Sequence, residues 1–570
     1  MHVVASGAYC LRHSFFCPSD LKTKTEQQQQ QPTRRNKSYS PLSLSCLSFG
    51  IGGMAVEEMQ DEIEIVKAPS DKRQYEVLHL ANGLRALLIH DPDIASPAYS
   101  HEGADAANIG SWSRDDRDSE HLCEDNSDGS EESCGEEDEE LTGSDEDEEE
   151  EFRDGTNSGS EKAASRKGPD RSHSHCNHAD GECVGNESHD DIYNENEEEL
   201  DGDHRSGVAP TKKAAAALCV GVGSFSDPRD AQGLAHFLEH MLFMGSSKFP
   251  DENEYDNFLS KHGGSSNAFT ETEFTCYHFD VSSRFLKPAL DRFSQFFISP
   301  LVKFEAMERE VQAVDSEFDQ VRQSDGCRLQ QLRSHTADSS HPFHTFSWGN
   351  RESLSEPISR GVDMQEKLLG MYKEHYLANR MKLCVLGGEP LETLKAWVLE
   401  FFGEAREGGS ERIFFPLERA LWEAGKIYWV EAVKEQHNLS LTWILPCLEA
   451  AYLQKPQDYI SHLIGHEGAG SLLSLLKAKG WASGLSAGIG DGGFERNTAA
   501  YMFNVSIDLT VLGLSKVFDV IGLLHQYLKM LREIKPQEWV FQELQSMGIM
   551  EFKFAEEESA DDYVVHLASV

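Results

Sequence analysis

Two histidines and a glutamate lie close together in one short segment of the chain. His236 and His240 are four positions apart, so on an α-helix both imidazoles leave the same face, one turn apart. Two such side chains can bind one metal ion, and imidazole is a common zinc ligand. Glu239 is placed to reach a water molecule rather than the metal. Asp230 or an upstream Ser or Asp could cap this helix, and Gly245 could end it.

A catalytic zinc site also needs a third protein ligand and an open position for water. The segment Phe304–Phe318 has a helical pattern and carries two suitable carboxylates, Glu310 and Glu317. These glutamates are seven positions apart, which is two helical turns and places both on one face. A solvated acidic helix face is the alternative interpretation. The histidine pair favours metal binding.

The His-x-x-Glu-His order and the later pair of glutamates resemble the insulinase–pitrilysin family of zinc metallopeptidases, the inverted zincins. Glu317 follows His240 by 77 residues, a spacing similar to that of the family's third ligand. The resemblance implies one Zn²⁺ per chain, bound by His236, His240 and Glu317. It further implies that Glu239 is the general base and that Glu310 is a second catalytic carboxylate beside the site. Two other segments resemble the family: Gly264–Thr270 and His462–Ser471.

The resemblance also implies how a peptide substrate is held. Polar and apolar residues alternate along Asn267–Asp280, which predicts one β-strand. Without the resemblance, this could equally be an ordinary strand of the sheet that does not bind substrate. In the family this strand adds the substrate as a further strand through main-chain hydrogen bonds. The implied substrate-binding residues are Asn267, Ala268 and Phe269, and a strand near Leu485 is expected to hold the N-terminal end of the substrate.

The expected substrates are peptides with basic side chains. Glu271 and Glu273 follow the predicted substrate-binding residues and could favour such side chains. One branch of the family cuts at paired basic residues, so the resemblance predicts cleavage at basic or dibasic sites.

A faint internal repeat follows the first motif. His462 and His466 repeat the four-residue spacing, with Gly465 at the position of the base. A repeat of the later helical motif places Met550 opposite Glu317. A second copy without a base or a third ligand should not bind catalytic zinc, so we expect it to act as a binding surface.

Alternating strand and helix patterns predict an α+β fold of tandem homologous insulinase-type domains, with mixed or antiparallel sheets packed against helices. Tyr75–Ile89 is typical of a β-hairpin around Asn82-Gly83, and Ala214–Gly223 of a buried strand. A Gly/Glu-rich stretch at 403–412 is the predicted boundary. The predicted domains are a catalytic zinc peptidase domain at 54–405 and a second, non-catalytic insulinase-like domain at 413–570.

Much of the negative charge is concentrated in one block. The 570 residues carry 98 acidic and 52 basic side chains, for a net charge of −46. Residues 101–210 hold 37 acids and 8 bases, a net of −29. Since large apolar residues are scarce there, residues 101–206 are predicted to be a disordered insertion that could bind basic proteins. A His/Cys cluster at 173–183 lacks standard zinc spacing and is interpreted as low-complexity sequence.

Composition also excludes some classes of function. Nucleic-acid binding is not expected, because phosphates require surfaces rich in Lys and Arg. The sequence contains no run of 18 apolar residues, so a membrane-spanning helix is not expected. The 12 cysteines are scattered, which favours a reducing compartment and predicts a cytoplasmic protein. Residues 1–53 are predicted to be a disordered leader. They could be a plastid or mitochondrial transit peptide, or an extension upstream of Met54.

The intact motif favours a zinc-dependent endopeptidase. Full-length members of the family have a second half that closes a chamber around the substrate, so we expect this chain to need a second half or a second chain. One alternative is a truncated half-enzyme that binds peptides but turns them over weakly or not at all. The other is an acidic interaction module that needs no catalysis.

Overall fold

The computed structural model describes residues 65–94, 212–409 and 412–569, together with the backbone of residues 2–6. In chain order its strands are β1 (His2–Ser6), β2 (Gln74–His79), β3 (Arg85–His90), β4 (Ala214–Val220), β5 (Ser265–Thr270), β6 (Thr275–Val281), β7 (Met381–Gly387), β8 (Lys426–Val430), β9 (Asn438–Leu445), β10 (Ala482–Gly488) and β11 (Tyr501–Leu509). Its α-helices are α1 (Leu234–Leu242), α2 (Glu254–Lys261), α3 (Leu286–Ile298), α4 (Phe304–Val321), α5 (Asp325–Thr336), α6 (Arg351–Ser359), α7 (Met364–His375), α8 (Leu391–Phe402), α9 (Pro456–Gly465), α10 (Leu472–Ala478), α11 (Val511–Leu514), α12 (Val517–Ile534), α13 (Glu538–Lys553) and α14 (Ala560–Ser569). The predicted acidic insertion, and the predicted leader beyond residue 6, lie outside the described residues.

The first sheet is mixed and has six strands in the order β2-β3-β7-β4-β6-β5. β2 and β3 form the predicted hairpin, and Gly83 at φ 92° supplies the left-handed backbone that its turn requires. Nδ2 of Asn82 donates to the carbonyls of Phe402 and Ala405 at 2.9 and 3.0 Å, so the turn is tied to the end of α8. β4 is buried along its whole length, as expected for the predicted strand.

One prediction about this sheet is wrong. Asn267–Asp280 contains two strands, β5 and β6, because the chain reverses between Thr270 and Thr275. The turn contains neither Gly nor Pro, so no local signal marks the reversal. It is held by distant parts of the chain, since the amides of Ser224 and Phe225 donate to its carbonyls at 3.0 and 2.9 Å. The reversal makes β5 the edge strand of the sheet.

Helices cover both faces of the first sheet. Side chains of α1, α3, α4, α7 and α8 pack against one face and form the largest apolar core. α14 packs against the other face, where Val564 and Ala568 are buried against β4, β6 and β7. The hydroxyl of Tyr563 on α14 is 2.8 Å from that of Tyr75 on β2. α14 lies within the predicted second domain, but its packing partners belong to the first sheet.

The second sheet has the order β10-β11-β9-β1-β8 and packs against α9, α10 and α12. β1 runs parallel to β9 and antiparallel to β8. The prediction of a disordered leader is therefore wrong for His2–Ser6, whose main-chain groups pair with a strand on each side. Two helix-covered mixed sheets, both rich in antiparallel pairs, confirm the predicted α+β class.

An apolar cluster joins the segments that surround the two sheets. Phe225, Phe343, Trp422 and Phe494 are buried together in it. Close by, Oγ1 of Thr272 in the β5–β6 turn donates to the carbonyl of Gly493 at 2.7 Å. These contacts fix the turn that follows the edge strand β5.

The described cysteines are free thiols: Cys219, Cys276, Cys327, Cys384 and Cys447. Across the described residues, the helices lack the combination of length and apolar character that spanning a bilayer requires.

Candidate metal centre

The helix that carries the histidine pair, α1, is held at its start by Asp227. The first turn of a helix leaves amide groups without helical partners. The carboxylate of Asp227 accepts hydrogen bonds from the amides of Gly233 and Ala235, both at 2.8 Å. An upstream aspartate therefore caps the helix, whereas Asp230 pairs with Lys367 at 2.9 Å. This cap fixes the end of α1 from which His236 projects.

α4 packs against α1 and brings its carboxylates to the imidazoles. Oε2 of Glu317 lies 3.4 Å from Nε2 of His236 and 3.4 Å from Nε2 of His240. One donor atom from each of these three residues lies within 4.8 Å of the others. Oε2 of Glu310, two turns earlier on α4, lies 3.6 Å from Nδ1 of His240. The structure thus brings together the three predicted ligands and the second carboxylate.

Each imidazole has an outer partner that fixes its orientation. Nδ1 of His236 is 2.6 Å from the main-chain oxygen of Trp348. Because a carbonyl only accepts hydrogen bonds, Nδ1 carries the proton, and the lone pair of the neutral ring is on Nε2. Nδ1 of His240 faces the carboxylate of Glu310 in the same way. Both Nε2 atoms therefore face Glu317, and partners of this kind orient the histidines of zinc sites.

The carboxylates make this cluster attractive to cations. Burial disfavours the charged form of His240, but hydrogen bonds to Glu310 and Glu317 outweigh it and raise its pKa to about 10. Burial likewise opposes charge on His236, whose pKa is nevertheless raised by Glu317 and Glu239. Contact with His240 outweighs burial and lowers the pKa of Glu310. Positive charge is thus stabilised at the imidazoles.

Glu239 is buried beside the cluster but is not one of its donors. In the described part of the chain, the group of possible metal ligands consists of His236, His240 and Glu317. Burial raises the pKa of Glu239, and its Oε2 accepts a hydrogen bond of 2.5 Å from Oγ1 of Thr270. The side chain is therefore held between α1 and the edge strand β5.

The donor set fits zinc better than a hard cation. Two imidazoles and one carboxylate are the ligands of many catalytic zinc sites, which keep a further position for water. Magnesium and calcium instead prefer sites built from oxygen atoms. The geometry is thus consistent with the predicted zinc site at His236, His240 and Glu317.

The predicted substrate-binding residues lie on two edge strands. Asn267, Ala268 and Phe269 are on β5, at the edge of the first sheet, and Leu485 is on β10, at the edge of the second. The side chain of Leu485 is buried in the second core. Edge strands present N–H and C=O groups to which an extended peptide can pair.

One of the two carboxylates expected to select basic side chains is already engaged. Glu273 accepts hydrogen bonds from the amide of Thr498, at 3.0 Å, and from its hydroxyl. Glu273 ties the β5–β6 turn to the loop before β11, and its role in selecting basic side chains stays a prediction.

The second histidine pair lacks the arrangement of the first. His462 is on α9 and His466 follows its end, and their ring centroids are 5.9 Å apart. Nδ1 of His466 accepts a hydrogen bond from the amide of Gly468 at 2.9 Å. Met550, predicted to stand opposite Glu317, is an exposed residue of α13.

Comparison with known sequences identifies the family. Residues 207–342 match the sequence profile described as Insulinase (Peptidase family M16), and residues 364–547 match that of the Peptidase M16 inactive domain. Together these ranges cover more than half of the chain. The chain belongs to the insulinase family, peptidase family M16. A nardilysin-like protein of Arabidopsis thaliana is 60% identical over 358 residues, which are 63% of this chain and 35% of that protein.

Similarity to nardilysins extends to animals. Nardilysin of Homo sapiens is 44% identical over 362 residues, which are 62% of this chain and 31% of that protein. Resemblance to nardilysins also extends to three short stretches: Met241–Ser246, Phe249–Asn253 and His262–Gly264. The sequence identities of 60% and 44% confirm that the chain is a nardilysin-like member of the insulinase family. The chain spans about a third of the length of these curated relatives.

The fold is that of a solved member of the same family. The crystal structure of pitrilysin matches with a TM-score of 0.64 at 23% sequence identity, over 89% of this chain and 41% of that chain. At this identity the likeness concerns the fold alone.

Sequence reasoning missed two residues that touch the site. Trp348 acts through its main-chain oxygen, for which no side-chain pattern exists. Thr270 lies at the end of a segment that resembles the insulinase family, but its contact with Glu239 depends on the unpredicted reversal of β5 into β6.

A close approach of two glycines sets the position of the Trp348 carbonyl. Gly233 precedes α1 at φ 85°, and Gly349 follows Trp348 at φ 74°. A Cβ on Gly233 would lie 2.2 Å from Cα of Gly349, which is too close for any side chain. The absence of side chains at these two positions lets the Trp348 carbonyl reach His236.

We expect Gly233→Ala to weaken zinc binding by about 10- to 100-fold, because the added methyl group displaces the carbonyl that orients His236. The affinity would be measured by competition with a zinc-binding dye. Gly361→Ala is the matched control, since Gly361 also has a positive φ of 87° but nothing within 4 Å of an added Cβ. Equal zinc affinities for the two variants would contradict this account.

Proposed function

We propose that the chain is a zinc-dependent endopeptidase. The observation that carries the proposal is the convergence of His236, His240 and Glu317, with Glu239 buried beside them and an edge strand next to it. The family membership of the chain supports the same activity. A zinc ion bound by these residues would supply a Lewis acid that activates water and polarises the scissile carbonyl.

Glu239 is the residue that moves the proton. Its carboxylate accepts a proton from the attacking water and passes it to the nitrogen of the leaving amine. Burial raises the pKa of Glu239, which makes it a stronger base than an exposed glutamate. Glu310 does not touch the reacting atoms in this scheme, because its carboxylate is engaged with Nδ1 of His240 and with Arg309. Its role is to orient His240.

The substrate binds in extended form along β5. A peptide that pairs with the main chain of Asn267–Phe269 continues the first sheet by one strand. α1 packs next to β5, and Thr270 at the end of β5 contacts Glu239. A peptide bound in this way would pass close to the base. The edge strand β10, which carries Leu485, would hold a second stretch of the same peptide.

Cleavage at basic or dibasic sites is the proposed specificity. The similarity to nardilysins supports it, as does the net charge of −29 in residues 101–210. The second domain is proposed to bind substrate without catalysis, which the match to the M16 inactive domain supports.

The acidic insertion is proposed to attract basic peptides and basic proteins. We expect deletion of residues 104–203 to slow association with a basic peptide and to reduce its salt dependence, because exposed charges are screened beyond about 8 Å at physiological salt. Association rates would be measured by stopped flow between low and high salt. Zinc content should not change. An unchanged salt dependence in the deletion variant would rule out this role.

The second candidate is a half-enzyme that binds peptides and turns them over slowly or not at all. The chain spans about a third of the length of its curated relatives. In that case a second half or a second chain would be required for full activity. An acidic interaction module without any catalysis is a third candidate, which the converging ligands disfavour.

Cleavage of a fluorogenic dibasic peptide tests the proposal. We expect the zinc-loaded chain to cleave it, a chelator to stop cleavage, and added zinc to restore it. Peptide binding is measured in parallel on the same samples. Binding without cleavage would favour the half-enzyme, and neither binding nor cleavage would refute the endopeptidase proposal.

A further inference from the structure

The carboxylate of Glu239 is oriented by a residue that the family resemblance did not assign. Oγ1 of Thr270 lies 2.5 Å from Oε2 of Glu239, within a charge-assisted hydrogen bond. Glu239 is 6% exposed, so water contributes little to holding its carboxylate in place. The terminal torsion of a glutamate has broad, shallow minima, which makes a directional partner the main constraint on the carboxylate plane.

The neighbouring hydroxyl shows which way this hydrogen bond runs. Thr275 faces Thr270 across the β5–β6 turn, and their Oγ1 atoms are 3.3 Å apart. Oγ1 of Thr275 donates to the carbonyl of Val222 at 2.9 Å, so its single proton is already used. The proton of Thr270 then has the carboxylate as its nearest acceptor. Thr270 is the donor, and Oε2 of Glu239 is held as an acceptor.

We propose that Thr270 is a positioning residue for the general base: its hydroxyl holds Oε2 of Glu239 and leaves Oε1 to accept the proton of the attacking water. This inference rests on the proposed function, since it assigns Glu239 the role of base. Proton transfer needs a defined donor–acceptor geometry, and a displacement of about 1 Å can cost 10²-fold in rate.

The position of Thr270 in the fold links the base to the substrate strand. Thr270 is the last residue of β5, the edge strand proposed to bind the peptide main chain. The following turn is fixed by Thr272, which donates to Gly493, and by Glu273, which accepts from Thr498. One rigid hairpin therefore places both the bound peptide and the carboxylate that acts on it.

Thr270→Val tests this role, because valine keeps the shape of threonine and removes only the donor. We expect kcat to fall by about 10- to 100-fold with KM changed less than about twofold, and Thr270→Ser to restore most of the loss. Zinc content should stay at one per chain in both. Thr336→Val is the matched control, since the hydroxyl of Thr336 donates within its own helix, to the carbonyl of Leu332 at the end of α5.

A double-mutant cycle provides a readout that does not need activity. The Tm of the zinc-free protein would be measured for Thr270→Val, Glu239→Ala and the double variant. If the hydroxyl holds the carboxylate, Thr270→Val will lower Tm in the parent and have little further effect once Glu239 is alanine. A structural role for Thr270 that does not involve Glu239 would give additive shifts.

The two readouts separate this inference from the proposed function. The inference would be overturned if the parent is active and Thr270→Val keeps its kcat, or if the shifts in Tm are additive. Either result would leave the endopeptidase proposal standing. A parent that cleaves no peptide would refute the proposed function, and the cycle alone would then decide whether Thr270 holds Glu239.

Discussion

Replacement of Glu239 by glutamine is expected to lower kcat for peptide cleavage by about 10²–10⁴-fold, the usual contribution of a general base. Glutamine keeps the size of the side chain and can still accept the hydrogen bond from Thr270, but it cannot take up the proton of water. Turnover of a fluorogenic dibasic peptide by zinc-loaded protein gives kcat and KM for both forms.

The same variant should leave zinc binding intact. Glu239 lies outside the group formed by His236, His240 and Glu317, so Glu239→Gln should retain about one zinc per chain and bind an extended peptide as the parent does. Peptide affinity is measured in parallel, so that an effect on binding can be separated from an effect on turnover. Loss of zinc, or cleavage as fast as in the parent, would refute the assigned role.

Removal of a metal ligand should have the second large effect. We expect His240→Ala and Glu317→Ala each to lose most of the bound zinc, because two ligands and water do not hold zinc against a chelator. The measurement is the zinc-to-protein ratio after dialysis against a weak chelator. Cleavage should disappear together with the metal.

The second histidine pair provides a matched control for the ligand variants. His462→Ala and His466→Ala remove imidazoles at the same four-residue spacing, but from a pair for which the sequence repeat predicts Met550 at the position of the third ligand. Both variants should keep one zinc per chain. Retention of zinc in His240→Ala, or its loss in His462→Ala, would show that the metal is bound elsewhere.

The residues of the candidate metal centre could be predicted from sequence because helices impose regular spacing. The pair His236 and His240 shares one helix face by geometry alone, as does the pair Glu310 and Glu317. Local spacing does not predict that α4 packs against α1, and this contact was expected only from the family resemblance. The structure places Oε2 of Glu317 3.4 Å from Nε2 of each histidine.

The supporting residues could not be predicted because they act across distant parts of the chain. Trp348 contributes a main-chain oxygen that reaches His236 through the close approach of two glycines. Thr270 reaches Glu239 only because the chain reverses after β5, and that reversal is fixed by amides of residues 224 and 225 rather than by a turn sequence. The alternation of polar and apolar residues looks the same in one long strand as in two paired strands, so it could not reveal the reversal.

The fold shows the same division between local and distant causes. The hairpin at Asn82-Gly83 and the buried strand β4 follow from local sequence. The placement of α14 on the first sheet and of β1 within the second depends on which sheet face or strand edge is open, and hydrophobic periodicity carries no such information.

The most direct test of the central claim is zinc K-edge X-ray absorption of the zinc-loaded chain, which reports the atoms around the metal. We predict a first shell of nitrogen and oxygen at about 2.0–2.1 Å, from two imidazoles, a carboxylate and water. The chain contains 12 cysteines, two of them in the His/Cys cluster at 173–183, so a thiolate site elsewhere is a real alternative. Sulfur ligands at about 2.3 Å would contradict the assignment of zinc to His236, His240 and Glu317.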